Sequence, residues 1–311
     1  MSVTLIAVVA ALVLGHAAPS LASVRQFGWY RDLVAWLNSH FDEDSFWRGN
    51  WGIALALAPP LLAVGLLQRA LDGQVFGLAG LLFAIIVLFY SWGPRDLDRD
   101  VDAVLDAPDP VSRRDAAARL ADDGSASVDG PRVIDAVFRN GLRRWFGVLF
   151  WFLVLGPFGA LGYRLVVVSA RRDGAEDPPA TPVPSATARG ARRLLALLEW
   201  PVAQLMTLSL ALVGNFDSVL GAWRSAGGAA FHLDSRFLEA AGRASVRSEL
   251  ADESSDYAAG SLRDEDMGAT TLPAASLGEL PELRDAMSLV WRCLLVWLAT
   301  LALFVIAGFV S

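Results

Sequence analysis

The sequence predicts an all-α integral membrane protein with about four to five membrane-embedded helices, plus amphipathic helices and helices in the loops. Of its 311 residues, 54% are hydrophobic, and the mean hydropathy is +0.43, which is high for a soluble domain. Charged residues concentrate in 95–144, 171–193 and 217–288 and are almost absent from the apolar runs. Several of the 11 Trp residues flank those runs, as in interfacial aromatic belts.

Composition also excludes several classes of chemistry. All 26 basic residues are Arg, so a P-loop or a Schiff-base lysine is excluded. Cys293 is the single cysteine, which rules out an intramolecular disulfide and a thiolate zinc site. His16, His40 and His232 are scattered, and we expect no metal and no cofactor. A net charge of −7 argues against nucleic acid as a partner.

The N-terminal part, 1–94, is expected to hold an interfacial helix and a helical hairpin. Residues 1–24 carry no charged side chain and predict a retained membrane segment; a cleaved signal peptide is the alternative, although it would lack a basic start. Residues 25–47 predict an amphipathic helix at the bilayer surface, or else one packed on a core. Residues 51–67 and 74–92 are each near the ~20 residues that cross a bilayer, and their short link predicts an antiparallel pair.

The first hydrophilic loop, 95–144, should contain two helices, at 111–120 and 131–142. Asp129 could cap the second of them. The Asp-rich run 96–109 lacks the spacing and the glycine of an EF-hand, so we expect a solvated face there rather than a cation site. Arg residues near the adjacent spans predict that this loop is cytoplasmic.

The central stretch, 138–168, has no polar face between Trp145 and Gly162. Basic residues flank it on both sides, which conflicts with one simple crossing. It either spans the membrane or folds back as a hairpin at Gly156-Pro157. Ionisable and small residues at this segment and its neighbour form the candidate ligand or partner site, namely Arg139, Asn140, Arg143, Arg144, Gly156, Pro157, Gly159, Tyr163, Arg164 and Glu199.

The central membrane part, 145–216, includes a Pro-rich linker at 173–190 that should be flexible and partly extended. Residues 191–216 predict either a further span or a long helix embedded at the interface. Glu199 would be costly in lipid, so we expect it at the headgroup level or turned towards other helices.

The C-terminal part begins with an acidic hydrophilic region, 217–288, and ends with a transmembrane helix in 289–311. Residues 217–246 look helical. Low complexity over 248–282 predicts poor order. None of the common catalytic motifs is present, so the residues themselves predict no enzyme.

Polar and small residues in a fixed order resemble a known group of membrane proteins. The matching residues are Asn140, Leu149-Phe150-Trp151-Phe152, the run Leu155 to Arg164, Leu198-Glu199-Trp200-Pro201-Val202, Leu212-Val213-Gly214, Trp223, Phe231-His232 and Leu238-Glu239-Ala240-Ala241. In this order and spacing, from about 131 to 245, the chain resembles the AmpE and CobD/CbiB group.

The two branches of that group imply different functions. CobD/CbiB proteins are adenosylcobinamide-phosphate synthases, which join an aminopropanol moiety to a corrinoid carboxylate. Their Gly-Arg-Asp-Thr, Asn-Thr-Leu-Asp-Ser-Met and Ser-Pro-Asn motifs have no counterpart here, where Val167 to Arg172 and His232-Leu233-Asp234 occupy two of those places. The AmpE branch also lacks them, and its members are inner-membrane proteins that modulate β-lactamase induction.

The resemblance therefore implies a non-enzymatic, AmpE-like regulatory protein of the cytoplasmic membrane, with several spans and a link to cell-wall recycling. Its expected partners are membrane lipids and either a recycling amidase or a muropeptide ligand. The alternative is a CobD-like synthase or a residual membrane-bound transferase, which would use Asn140, Glu199 or Asp234. A small transporter is a third reading, although the sequence shows no inverted repeat.

Overall fold

The computed structural model describes residues 2–17, 25–42, 44–71, 77–93, 96–120, 130–171, 183–230, 233–264 and 280–307. Throughout these ranges the chain is helical and has no β-strand, as the sequence predicts. The α-helices are α1 (Ser2–Ala17), α2 (Gly28–His40), α3 (Ile53–Leu71), α4 (Gly77–Ser91), α5 (Leu97–Leu105), α6 (Pro110–Leu120), α7 (Gly130–Gly141), α8 (Gly147–Leu155), α9 (Pro157–Ala170), α10 (Ser185–Val213), α11 (Phe216–Ser225), α12 (Arg236–Asp264) and α13 (Pro281–Ile306).

Helices α8 and α9 form an antiparallel hairpin at the centre of the molecule. Gly156 joins them with φ +67°, a conformation that glycine adopts without strain, and Pro157 then starts α9 at a position that needs no N–H donor. A Cβ on Gly159 would lie 2.1 Å from the Trp151 carbonyl oxygen, so only glycine permits this close packing. The segment therefore folds back at Gly156-Pro157, which was the second of the two expectations.

The hairpin has two ends that serve as reference points. We call Leu155 to Phe158 the tip, and the opposite end, from the contact of Gly147 with Tyr163 outwards, the base. The base thus includes residues 139–146 before α8 and residues 164–171 at the end of α9. Helix α9 has 14 residues, so base and tip are separated by roughly 20 Å at 1.5 Å per residue. This length is less than a full bilayer crossing requires.

Helices α3 and α4 pack beside the hairpin, and α1 packs on the outside of α4. Helix α3 runs antiparallel to α9, because Gly162 lies against Leu61 and Gly65 against Phe158. Helix α4 follows α3 closely, since Gly80 lies beside the carbonyl of Leu71, and α1 packs against α4. Helices α3 and α4 lie within a few residues of the predicted segments 51–67 and 74–92. Retention of α1 in the mature protein remains a prediction.

Helix α10 lies across the base of the hairpin. At its N-terminal end, Thr187 donates a hydrogen bond to the carbonyl of Trp47, just before α3. Near its C-terminal end, Met206 packs on Gly141, and Gly214 packs on Ser245 of α12. Length and composition would allow α10 to cross a membrane. Whether it spans the membrane or lies at the interface stays a prediction.

Helices α5, α6, α7, α11 and α12 form a helical layer at the base, which we call the cap. The side chain of Asp109 caps α6 by accepting from the hydroxyl of Ser112 and from the backbone N–H groups of Ser112 and Val111. These hydrogen bonds, the hydroxyl first among them, lower the pKa of Asp109. Helices α6 and α7 lie where helices were predicted, and α5 is an additional one. Asp129, the expected cap of the second helix, lies outside the described residues.

Among the residues that the structure describes, three helices are long and apolar enough to cross a membrane: α3, α10 and α13. Shorter apolar helices occur at Thr4–Gly15, Gly77–Ser91 and Pro157–Ala170. Large apolar side chains are exposed on these helices, among them Leu66, Leu82 and Leu303. An all-α membrane protein accounts for that exposure, since lipid would cover it.

The interpretation of α2 is corrected by the structure. Its apolar stripe, which was expected to face the bilayer, is buried against the protein at Tyr30, Val34 and Leu37. Exposed aromatic side chains instead lie off that stripe, at Trp29 and Trp36. Hydrophobic spacing identifies the buried face of a helix but does not say whether lipid or protein covers it.

Two segments expected to be irregular are partly helical. Helix α10 begins at Ser185, inside the predicted linker 173–190, because its first turns pack on the turn before α3. Helix α12 continues to Asp264, although poor order was predicted over 248–282. Residues 172–182 and 265–279 lie outside the described part of the chain.

Candidate functional site

A π-helical segment, Leu142–Phe146, joins α7 to α8 at the hairpin base. Its wider turn ends where the N–H of Gly147 donates to the carbonyl of Leu142. Isolated π turns inside α-helices are frequent at functional sites. This one carries Arg143 and Arg144, whose adjacent side chains reach different helices.

Arg143 pairs with α10. Its Nε donates to Oε1 of Glu199 at 2.6 Å, and Glu199 is only 3% exposed. Glu199 is therefore turned towards another helix, as predicted. A buried carboxylate needs such a partner, because leaving it unpaired would cost the full desolvation penalty.

Arg144 pairs with α5. Its guanidinium donates to Oδ2 of Asp100 at 2.5 Å, and both side chains are largely buried. The aliphatic part of Arg144 crosses Gly93, at the end of α4, where a Cβ would lie 3.0 Å from Cγ. Arg144 thus ties the membrane hairpin to the cap and to α4 at one point.

The acidic run at the start of α5 is an anchor for three other segments. Oδ1 of Asp96 accepts a hydrogen bond from the guanidinium of Arg25 at 3.3 Å, and Oδ1 of Asp98 accepts from the indole N–H of Trp291 at 2.8 Å. Oδ2 of Asp100 accepts from Arg144. Burial lowers the pKa of Arg25 against the opposing effect of Asp96.

The expectation of a solvated face is wrong for these three aspartates and holds only further along the run. Asp102, Asp106 and Asp109 are exposed. Within the described residues, no group of His, Cys, Asp and Glu could hold a metal ion.

Helices α7 and α12 carry a second set of ion pairs. Arg139 donates through Nε and a terminal nitrogen to Oε1 of Glu239, at 2.9 and 2.6 Å, and Arg243 pairs with Asp135. Burial, reinforced by the nearby carboxylate of Glu239, raises the pKa of Asp135 despite its arginine partner. The acid and the base alternate on each helix, so the pairing fixes the antiparallel register of α12 on α7.

Asn140 has a structural part to play. Its side-chain amide donates to the carbonyl of Leu120, at the end of α6, at 2.7 Å, and to the carbonyl of Ala136 at 2.9 Å. It is 3% exposed. Asn140 therefore satisfies a helix C-terminus inside the cap and points away from any solvent-facing surface.

Tyr163 and Arg164 are buried on the α9 side of the base. The ring of Tyr163 lies over Gly147, where a Cβ would lie 2.2 Å from Cζ. The Arg164 guanidinium lies 5.8 Å from the ring centre of Phe27, within the range of a cation–π contact. Close by, Tyr30 and Ser169 share a 2.8 Å hydrogen bond, and burial raises the pKa of Tyr30 to about 12.

In the described part of the chain, a neutral side chain binds the tip. Gln68 of α3 donates from Nε2 to the carbonyl of Leu155 at 3.3 Å, and its Oε1 accepts from the N–H of Phe158 at 3.0 Å. These backbone groups lie at the end of α8 and the start of α9, where the chain's own helical bonds stop. A single amide therefore closes the break in the apolar hairpin.

The ten predicted site residues thus fall into two places rather than one. Gly156, Pro157 and Gly159 belong to the tip and serve the turn and close packing. The other seven lie at the base, and most of their polar groups bind neighbouring helices, as described above. Arg139, with 34% of its side chain exposed, is more accessible than Arg143 at 25% and Arg144 at 12%.

Sequence reasoning missed several partners at these two places, namely Gln68, Asp98, Asp100, Asp135 and Glu239. Gln68 carried a usable signal, since it is a polar residue at the end of an apolar span. Asp98 and Asp100 lie in a run that sequence alone could not distinguish from a solvated face. Pairing across helices depends on tertiary structure, which the local pattern does not encode.

Similarity to known proteins covers part of the chain. The cobalamin biosynthesis protein CobD of Chromobacterium violaceum is 33% identical over 125 residues, which is 38% of this chain and 38% of that protein. This chain is weakly homologous to CobD. No family model matches the chain, and no solved structure does. Neither the AmpE branch nor β-lactamase induction is supported by these comparisons.

Proposed function

We propose that the chain is a multi-pass, non-catalytic regulatory protein of the cytoplasmic membrane, of the AmpE type. The arrangement of the base is the observation that supports it. Arg143 and Arg144 sit on one π turn and bind Glu199 of α10 and Asp100 of the cap. A change in the position of the membrane hairpin would therefore be transmitted to the cap, as a signalling protein requires.

Sidedness follows from the distribution of basic residues. The base gathers Arg25, Arg48, Arg171 and the arginines of the π turn, whereas the exposed Arg69 lies at the tip end of α3. Positive residues close to membrane helices favour the cytoplasm. The cap then faces the cytoplasm, where an amidase or a muropeptide would meet the partly exposed Arg139.

The absence of three synthase motifs from the sequence also favours a non-catalytic role. Asn140, one residue that a residual transferase would use, is committed to two backbone carbonyls. Glu199, another, is paired and buried. Their geometry suits a scaffold better than it suits proton transfer.

The test is β-lactamase induction in a strain that lacks this gene. The intact gene should restore induction, and a variant with Arg139→Gln and Arg143→Gln should not, provided that it inserts normally. Arg236→Gln is the matched control, since that arginine is 82% exposed and pairs only locally with Asp234. Unchanged induction after deletion of the gene would refute the AmpE-type role.

A CobD-like synthase or transferase is the second candidate, and the comparison with known proteins favours it over the regulatory role. The supporting observation is the 33% identity over 125 residues to a protein named for cobalamin biosynthesis. Asp234 is the accessible residue of the three that such an enzyme would use, with its side chain 39% exposed. It would act at the junction of α11 and α12.

Rescue of a corrinoid auxotroph separates the two candidates. An enzyme of this type should restore growth, and Asp234→Asn should abolish the rescue without changing protein level. A regulatory protein should fail to rescue while expressed and inserted. The two assays are independent, so each proposal can fail alone.

A further inference from the structure

An exposed edge of arginine and aromatic side chains lies where α10 begins. Thr187 Oγ1 donates to the carbonyl of Trp47 at 2.5 Å, and Gly190 packs so closely on Asn50 that a Cβ would lie 1.8 Å from its carbonyl oxygen. These contacts fix the first turns of α10 against the turn that precedes α3. Arg189 lies about 200° around α10 from Thr187, and Arg192 lies about 200° from Gly190, so these arginines face away from that contact. They are nevertheless at the same level of the molecule as the exposed residues of the turn, because the two segments are packed together.

This surface combines positive charge with large aromatic groups. Arg189, Arg192 and Arg193 are exposed on the first turns of α10. Phe46 and Trp51, on the adjoining turn, are 62% and 74% exposed. We refer to these five residues as the arginine–aromatic edge.

The depth of the edge follows from what comes next on each helix. Trp51 lies two residues before α3, which then exposes Leu62 and Leu66. Arg193 lies one turn before the exposed Leu197 of α10. The edge thus sits where two apolar helices meet the headgroup region, which suits aromatic rings and guanidinium groups.

We propose that the arginine–aromatic edge binds anionic phospholipid headgroups in the leaflet at the hairpin base. Three exposed guanidinium groups match phosphate in charge and hydrogen-bonding geometry, and the rings cover the adjoining acyl boundary. The chemistry selects anionic over zwitterionic lipid, because only the former has net negative charge. The proposal requires membrane insertion and is independent of the regulatory role.

Acidic residues close to the edge modulate this binding. Asp42 and Asp44 are exposed in the segment that follows α2 and precedes Phe46. Their charge opposes that of the arginines, so neutralising them should strengthen the preference for anionic lipid. This substitution therefore tests the proposal by an expected increase in the preference for anionic lipid, whereas replacing the arginines should decrease it.

The experiment places the full chain in nanodiscs that contain equal amounts of phosphatidylglycerol and phosphatidylcholine. Lipids retained after mild detergent extraction are counted by mass spectrometry. The natural protein should retain phosphatidylglycerol preferentially, and replacing Arg189, Arg192 and Arg193 with Gln should weaken that preference by about tenfold or more. Added salt should weaken it in the natural protein as well.

The matched control replaces three other exposed arginines, Arg99, Arg114 and Arg119 of the cap, with Gln. This variant loses the same charge and should keep the lipid preference. Asp42→Asn with Asp44→Asn should raise it. Helical circular dichroism and a monodisperse elution profile establish that each variant folds.

Three results would overturn the proposal. The first is equal loss of preference in the edge variant and the cap variant, which would indicate a general charge effect. The second is displacement of the lipid by inorganic phosphate at low concentration, which would indicate a phosphate site. The third is an unchanged lipid preference in the edge variant while it loses a soluble protein partner, which would make the edge a protein-docking surface.

Discussion

The two ends of the central hairpin are held by opposite kinds of interaction. At the base, ion pairs join α7, the π turn, α5, α10 and α12, with Arg144 and Asp100 at 2.5 Å. At the tip, Gln68 binds the backbone on both sides of Gly156. Charged groups near headgroups and the cap can be solvated or paired, so they cost little free energy there. In hydrocarbon a neutral amide costs less free energy than a charged group. The hairpin is thus strongly tied at one end and lightly at the other.

The largest expected effect comes from a change that breaks the hairpin between its two ends. Gly159→Ala places a Cβ 2.1 Å from the Trp151 carbonyl oxygen, so α8 and α9 must separate. We expect a loss of more than about 3 kcal/mol in the free energy of unfolding. Gly162→Ala is the control, since its Cβ would lie 3.4 Å from Leu61. Equal stability of the two variants in a denaturant titration would contradict the close packing.

Removal of one partner at the base should have the next largest effect. Arg144→Gln leaves the Asp100 carboxylate buried without its cation, at a cost of about 3 kcal/mol. Adding Asp100→Asn should recover much of that loss, because no charge is then left buried. A double-mutant cycle on thermal unfolding measures the coupling. Additive effects would show that the pair does not hold the base.

The tip should respond more weakly. Gln68→Leu removes two hydrogen bonds, and we expect a loss of about 1–2 kcal/mol. Hydrogen exchange at the amide of Phe158 should accelerate, since that donor loses its acceptor. Arg69→Gln, one residue away and exposed, should change neither quantity. Slow exchange at Phe158 in the Gln68 variant would mean that another group closes the tip.

The smallest effect is a pH dependence in the cap. The pKa of Asp135 is raised in the folded protein, chiefly by burial, so the folded state binds this proton more tightly than the unfolded state. The contribution of Asp135 to stability is therefore greatest below its unfolded pKa and declines as pH rises through the folded pKa. Asp135→Asn should remove that decline. Chemical unfolding at a series of pH values compares the two, and identical pH profiles would rule the effect out.

Much of the fold could be predicted because the length and the apolar composition of a segment identify candidate membrane helices. The helices α3 and α4 lie close to their predicted positions, and Gly156-Pro157 marked the break. Helix α13 contains most of the predicted C-terminal span but begins eight residues earlier, at Pro281. The start of α10 at Ser185 and the extension of α12 to Asp264 could not be predicted. The first depends on packing against a distant turn, and the second occurs in a sequence whose polarity is typical of a disordered tail.

Less of the candidate site could be predicted. The sequence identified the arginines of the base as important but not their partners, since Asp100 and Glu239 lie 44 and 100 residues away from them. Asn140 was named as a site residue because the sequence around it resembles the AmpE and CobD/CbiB group. In the structure its side-chain amide donates hydrogen bonds to backbone carbonyls. Polar residues near a membrane are selected for several reasons, and only their neighbours reveal which one applies.

The π turn inserts one residue between the cap and the central hairpin without rotating one against the other. Such a turn is an α-helix that has accommodated one extra residue. The N–H of Gly147 donates to the carbonyl of Leu142 across that extra residue, and after deletion of one residue from Leu142–Phe146 it would reach the same carbonyl as an ordinary α-helical bond. Gly147 would therefore stay opposite Tyr163, whereas Arg143 and Arg144 would not both keep their present positions. A single-residue deletion here would leave the hairpin in place and disrupt the ion pairs of the base.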